Sequence, residues 1–441
     1  MVNSFWHGER GAIGGWTSQL PRYRPNLVWI YHDRHLNTTK LLHNENVVII
    51  SCHMDFVGIP GSMGRLADGA AFFDRQEIMS RAWDLLKTSN LLLLAPRRVG
   101  KSSLLNRMKE DGPVRGYNTL YLSVPEDELD FIKRLVRGFR DAEWTPGSWV
   151  AAFKDKLPED LEFVLKTGLI ELKAKQFDWR RPAEDLEKLL NAADSETLLL
   201  IDELPLLIAS IVQQDPTGNR AERFLLWLKR LREQYRPRWF FAGSIGLDSV
   251  ARRLKLSGTI HDLQPIELGE FSPEKARAYL MGRGQLYLWT LSAETIEAIL
   301  RAVEWPIPFH LNLVFEELRA VVSEGHGAPS PTLVEIALQR LMAHGRTHFD
   351  HWDERLAKML DSRAQQYCEI ILSLACREVD GVAVASIDLR LSREMLDNRE
   401  RAEMLRQMLD LLTSDGYLVR QEGAVRFRSA LLRRYWREVQ A

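Results

Sequence analysis

Two polar clusters interrupt otherwise apolar stretches: Gly100-Lys101-Ser102-Ser103, and Asp202-Glu203 about 100 residues further on. A lysine and a hydroxyl behind a glycine suit phosphate. The lysine reaches terminal phosphate oxygens, the hydroxyl binds a divalent cation, and N–H groups at a helix start complete the anion site. The adjacent carboxylates divide two further tasks: Asp202 would hold the cation through water, and Glu203 would polarise an attacking water as general base. Together these residue types can hydrolyse a nucleoside triphosphate with Mg2+. Taken singly, each cluster also fits something plainer, a chance helix start or a solvated acidic turn.

Such residues need elements to position them. Asn90–Leu105 reads NLLLLAPRRVGKSSLL: an apolar run, a turn-forming loop and a helix start. It matches strand, G-x-x-x-x-G-K-[ST] and helix, except that Ala95 stands at the first glycine. Ala95 lacks easy access to positive φ, whereas Gly100 keeps it where the backbone must approach phosphate. Pro96, Arg97, Arg98 and Val99 complete the loop. Further strands are expected over Thr119–Val124, Thr197–Ile201, Arg238–Ser244 and Asp262–Leu268, with helices between them. Nearly all-apolar strands indicate a parallel sheet covered on both faces, which binds ligands at its carboxyl end. Ser244 falls at that end, placed to hydrogen-bond the γ-phosphate or the water, and reads equally as a turn. Arg252-Arg253, near the end of the next helix, could supply a cation to a neighbouring subunit's γ-phosphate; solvated arginines are also common there.

The remaining chain is mostly helical. Residues 125–196 form an insertion with helices expected near 127–141, 147–156, 158–172 and 182–193, a place for specificity. Helices follow over Pro273–Met281, Ala293–Val303, Pro308–Ser323 and Pro331–His344, then a linker helix within 345–363. Helices near Ala364–Arg377, Ser386–Leu389 and Arg399–Ser414 precede a hairpin, Tyr417–Arg420 with Val425–Arg428, and a last helix through Trp436, the pattern of a winged helix-turn-helix. Its arginines at 420, 426, 428, 433, 434 and 437 can contact DNA phosphates. Residues 1–53 carry two strand-like runs, Leu27–Tyr31 and Val47–Ile50, and suit either a β-rich extension or sequence upstream of a start at Met54 or Met63. His32, His35, Cys52 and His53 match no common metal-ligand spacing.

Composition limits the partners. A net charge of -1 over 441 residues gives no global attraction to nucleic acid or anionic membrane. Cys52, Cys368 and Cys376 form no disulfide or metal framework, and no apolar run approaches the ~18 residues of a membrane span. The expectation is a cytoplasmic protein.

The motifs FFDR (72–75), APRRVGKSSLL (95–105), LLLIDELP (198–205), FAGSIGL (241–247), WPIPFHL (305–311) and FRSALLRRYW (427–436) resemble those of the archaeal-type P-loop ATPases of archaea and bacteria, in the STAND branch of the AAA+ superfamily. The resemblance covers about residues 70–441. It implies an α/β fold: a three-layer parallel sheet of P-loop NTPase type (70–269), a helical lid (270–345) and a C-terminal winged-helix domain (346–441), after an extension over 1–69. ATP would lie between sheet and lid. Phe73 and Arg75 would then flank the adenine, and Pro308 matches the proline of the family's Gly-x-Pro lid motif, where this chain has Pro306 in place of glycine. On residues alone, Pro306 and Pro308 read as a helix start. The resemblance also implies that the winged helix packs on the nucleotide domain and transmits its state, in competition with DNA binding. Nucleotide-dependent self-association would accompany an arginine acting in trans.

Overall fold

A computed structural model describes residues 29–33, 38–43, 46–50, 58–61, 66–67, 69–123, 125–141, 180–243, 257–344 and 346–439. The chain forms two compact units, Met1–Val57 and Gly58–Ala441. In the first, β1 (Trp29–Asp33), β2 (Thr38–His43) and β3 (Asn46–Ile50) make an antiparallel meander in which Thr39 pairs with His32 and Ile50. β1 and β3 are visible as apolar runs; β2, reading TTKLLH, is not. His35, Cys52 and His53 lie outside the described residues.

The second unit is built on five parallel strands: β4 (Leu91–Leu94), β5 (Asn118–Leu122), β6 (Thr197–Ile201), β7 (Arg238–Gly243) and β8 (Gln264–Ile266), in the order β5-β6-β7-β4-β8. Alternate residues face opposite cores. Leu91, Leu93, Leu198, Leu200 and Phe240 enter one; Leu92, Leu199, Ile201, Trp239 and Phe241 enter the other. Two-sided burial explains why the strands are apolar at almost every position. Helices Gln76–Leu86 and Lys101–Asp111 cover the first face, and Glu128–Asp141, Arg180–Ala192, Leu204–Gln214 and Asn219–Gln234 the second. Each buried leucine contributes roughly 2 kcal/mol, so the sheet is a stiff frame for the loops at its carboxyl end.

Helices Pro273–Gln285, Ala293–Val303, Pro308–Ser323 and Pro331–His344 follow. Ser272 and Ser292 cap the first two by accepting from the N–H groups of Lys275 and Thr295. The C-terminal segment contains helices Asp350–Met359, Ser362–Ala375, Val384–Leu391, Asn398–Ser414 and Ala430–Val439. They surround a small antiparallel sheet in the order β10 (Leu418–Gln421), β11 (Ala424–Phe427), β9 (Val382–Ala383). The apolar cluster under β4 continues unbroken through both segments to Trp436. A displacement in one part is therefore felt in the others.

Candidate functional site

The loop from β4 to helix Lys101–Asp111 takes positive φ at Arg98 (64°) and Gly100 (106°), and not at Ala95. Alanine in place of the first glycine therefore imposes no backbone strain. Its N–H instead donates to Gly243 O at 3.2 Å, tying the loop's start to the end of β7. Strain falls on Arg98, where left-handed backbone costs about 1–3 kcal/mol. Its side chain is correspondingly held: the guanidinium lies 4.5 Å from the Phe309 ring centre, and Nε is 3.3 Å from His351 Nε2. Beside it, Arg97 Nη1 donates to His351 O at 2.7 Å.

Lys101 is buried, and its Nζ donates to Ala95 O and Pro96 O at 2.9 Å each. Burial lowers its pKa, opposed by the charges of Glu203 and Asp202. Ser102 Oγ donates to Asp202 Oδ2 at 2.5 Å, and Tyr121 Oη donates to the same oxygen at 3.0 Å. Burial raises the Asp202 pKa; the Ser102 hydrogen bond opposes this and the negative Glu203 adds to it. Asp202 Oδ1 and Glu203 Oε2 are buried without a hydrogen-bond partner. Two orphaned carboxylate oxygens beside a serine hydroxyl fit a hard cation. The described residues contain no cluster of three or more His, Cys, Asp or Glu able to hold a metal. An ion here would thus take Ser102 and Asp202 from the protein and complete its shell with phosphate and water, the habit of Mg2+. Glu203 itself has φ 57° at the N-terminus of helix Leu204–Gln214, the kind of strained residue that concentrates at functional positions.

Over the loop lies a cleft of about 330 Å3. Phe73 stands edge-on to Phe271 at 5.7 Å and 5.6 Å from Tyr279, making one end aromatic while the loop makes the other cationic. Tyr279 Oη donates to Asn312 Oδ1 at 2.9 Å, which fixes that ring. A flat apolar end and a phosphate end suit a nucleotide. Arg75 lines the cleft but is committed elsewhere: it donates to Val99 O at 3.2 Å and Gly269 O at 3.0 Å, and stacks 4.7 Å from the Phe271 centre. Burial lowers its pKa to about 10. It fastens the loop to the chain leaving β8.

Of the residues singled out by sequence, Phe73, Arg75, Arg97, Arg98, Val99, Gly100, Lys101, Ser102, Ser103, Glu203 and Pro308 line this cleft. Ala95, Pro96 and Asp202 do not line it: the first two accept from Lys101 Nζ through their carbonyls, and Asp202 accepts from Ser102. Ser244, Arg252 and Arg253 lie outside the described residues. Sequence reasoning missed Phe271, Tyr279, Phe309 and Tyr121. Tyr121 was discoverable, as a phenol near the carboxyl end of an apolar strand; the other three depend on how the helices after β8 fold back.

No protein-family model and no curated protein matches the chain. Among solved structures it is similar to a Walker-type ATPase of Pyrococcus abyssi, at 17% identity and TM-score 0.56, over 87% of this chain and 100% of that one. It also matches an ORC2 protein of Aeropyrum pernix in its ADP form, at 15% identity and TM-score 0.42 over 86% and 94% of the two chains. The RuvB Holliday junction branch migration motor of Thermotoga maritima matches at 11% identity and TM-score 0.40, over 82% and 94%. The last two scores are too low to add to the argument. The first shows a shared fold, an α/β architecture on a parallel five-stranded sheet.

Proposed function

We propose that the chain is an ATP-binding and ATP-hydrolysing switch of the STAND branch of AAA+ proteins. Nucleotide state would set the arrangement of a helical lid and a C-terminal winged helix. The observation that carries this reading is the double attachment of the loop. Its backbone and Lys101 face the cleft, while Arg97 and Arg98 grip His351 in the C-terminal segment. Phosphates entering the loop would draw Lys101 from the Ala95 and Pro96 carbonyls and alter the footing of both arginines, and phosphate contacts can order a bistable element in this way. Phe73, Phe271, Tyr279 and Pro308 would take the base. Mg2+ at Ser102 and Asp202 would offset the phosphate charge. Glu203 would orient the attacking water and accept its proton, with Ser244, next in sequence after β7, assisting, and Arg252 or Arg253 serving a neighbouring copy.

Lys101→Ala should abolish ATP binding, while Glu203→Gln should bind ATP without turnover. Normal ATPase activity in both variants refutes the reading. The competing idea of DNA binding is weakened by charge pairing: Arg420, Arg426 and Arg434 meet Asp410, Glu304 and Glu335, and Arg428 lies 5.2 Å over Trp305. An ATP-dependent mobility shift that weakens steeply with salt would restore it. Self-association is read by light scattering with ADP and with a non-hydrolysable ATP analogue.

A further inference from the structure

One buried ion pair close to the loop has no part in binding or hydrolysis as described above. Arg355 Nε and Asp415 Oδ2 are 2.7 Å apart, at 2% and 0% side-chain exposure, and Asp415 Oδ1 has no partner. Burying two charges without solvent is costly, and such pairs often contribute little net stability. Position offers a reason for this one. Arg355 lies one helical turn after His351, whose carbonyl accepts from Arg97. Its helix, Asp350–Met359, packs against helix Leu204–Gln214, which begins at Glu203. On the other side, Gly416 has φ 90°, and a Cβ there would come within 2.9 Å of the Pro96 side chain. The residue beside Asp415 is thus pressed directly onto the phosphate loop. Tyr417 Oη donates to Trp352 O at 2.7 Å and closes the assembly. Arg355 acts on Arg97 and Lys101 as a neighbouring positive charge, and Asp415 acts on both in the opposite sense.

We propose that Arg355 is a positioning residue through which the C-terminal segment distinguishes a nucleoside triphosphate from a diphosphate in the same subunit. This rests on the loop binding nucleotide as set out above. The added charge of a third phosphate attracts Arg355 and draws helix Asp350–Met359 onto the loop, while Asp415 keeps the guanidinium aimed when that charge is absent. A diphosphate exerts less of this pull, so the segment is held less firmly.

The test is calorimetric titration of the full chain with MgADP and with a non-hydrolysable Mg–ATP analogue. Removing one partner of a buried pair strands the other, so the informative variant is the double change Arg355→Met with Asp415→Leu, an apolar replacement that buried pairs commonly tolerate. Its expected behaviour is ADP affinity like that of wild type and analogue affinity reduced on the order of tenfold. Arg355→Lys, which keeps the charge, should retain most of the preference. Equal losses for both nucleotides in the double variant, or an unchanged preference, overturn the proposal while leaving nucleotide binding intact. A wild-type chain that binds neither nucleotide refutes the underlying reading and this inference together.

Discussion

Acidification should loosen the junction between the helical and C-terminal segments, and His310 sets the amount. Its side chain is fully buried, with Nδ1 3.3 Å from Ser429 Oγ; that hydroxyl donates to Val303 O at 3.1 Å, and Nε2 has no partner. With the Ser429 hydrogen directed to Val303 O, the arrangement fits the tautomer with its proton on Nδ1. Burial moves the pKa from 6.5 to about 3; a hydrogen bond from the ring to the Trp305 backbone opposes this, and Arg98 adds to the lowering. Above pH 6.5 neither folded nor unfolded chain carries the extra proton, and this group makes no pH-dependent contribution. As pH falls below 6.5 the unfolded chain takes up the proton and the folded one does not, so stability is lost until the folded value is reached. Between pH 7.5 and 5.0 the loss is about 2 kcal/mol, set by the unfolded chain because pH 5.0 still lies well above the folded value. The assay is denaturant unfolding of wild type and His310→Gln at both pH values, followed by tryptophan fluorescence, since Trp305 stands 5.4 Å from the ring. The variant should be less stable at both, with a pH difference smaller by about 2 kcal/mol. Identical pH dependence in the two proteins would falsify the account.

Three further outcomes follow from the loop. Ala95→Gly should lower stability by about 0.5–1 kcal/mol through the unfolded chain and leave ATP affinity unchanged, since φ at 95 is not positive; tighter binding would contradict this. Arg98→Ala and Phe309→Ala should show a coupling of about 0.5–2 kcal/mol in a double-mutant cycle, from the 4.5 Å stacking; simple additivity would remove the contact from the argument. Tyr121→Phe should reduce stability by about 1 kcal/mol and raise the Mg2+ concentration needed for half-maximal ATPase activity, because Asp202 loses one of its two donors. An unaltered Mg2+ requirement would show that the phenol does not help position the carboxylate.

The sheet and its carboxyl end were legible because their determinants are local. A buried strand is an apolar run, and a glycine followed by lysine and serine marks a helix start with free N–H groups. Thr197–Ile201 and three of the four helices between residues 273 and 344 begin and end where their apolar periodicity and caps place them. Helix Leu204–Gln214 was hidden because LLLIDELPLLI is apolar on both sides of the acidic pair, so periodicity does not separate strand from helix. The aromatic wall of the cleft was hidden for another reason: Phe73 meets Tyr279 across more than 200 residues, and nothing in either neighbourhood encodes the encounter.

The pair Arg97-Arg98 was the least interpretable part of the motif, and the structure gives it a physical role. A phosphate loop binds anions through its backbone N–H groups, so side chains that border the cleft remain free to make other contacts. Here Arg98 accepts a left-handed conformation and directs its guanidinium to Phe309 and His351, while Arg97 reaches the His351 carbonyl. Both arginines are partly desolvated, which lowers their pKa values, and each is further disfavoured by a nearby cation, Arg355 for Arg97 and Arg97 for Arg98. Like charges crowded at an internal seam weaken it, and negative charge brought to the loop relieves the repulsion. On the proposed reading, a phosphate arriving at residues 95–100 would therefore tighten the seam through these two arginines as well as through Arg355. On that reading the coupling is reciprocal: whatever holds the C-terminal segment against Arg97 and Arg98 would also raise the affinity of the loop for phosphate.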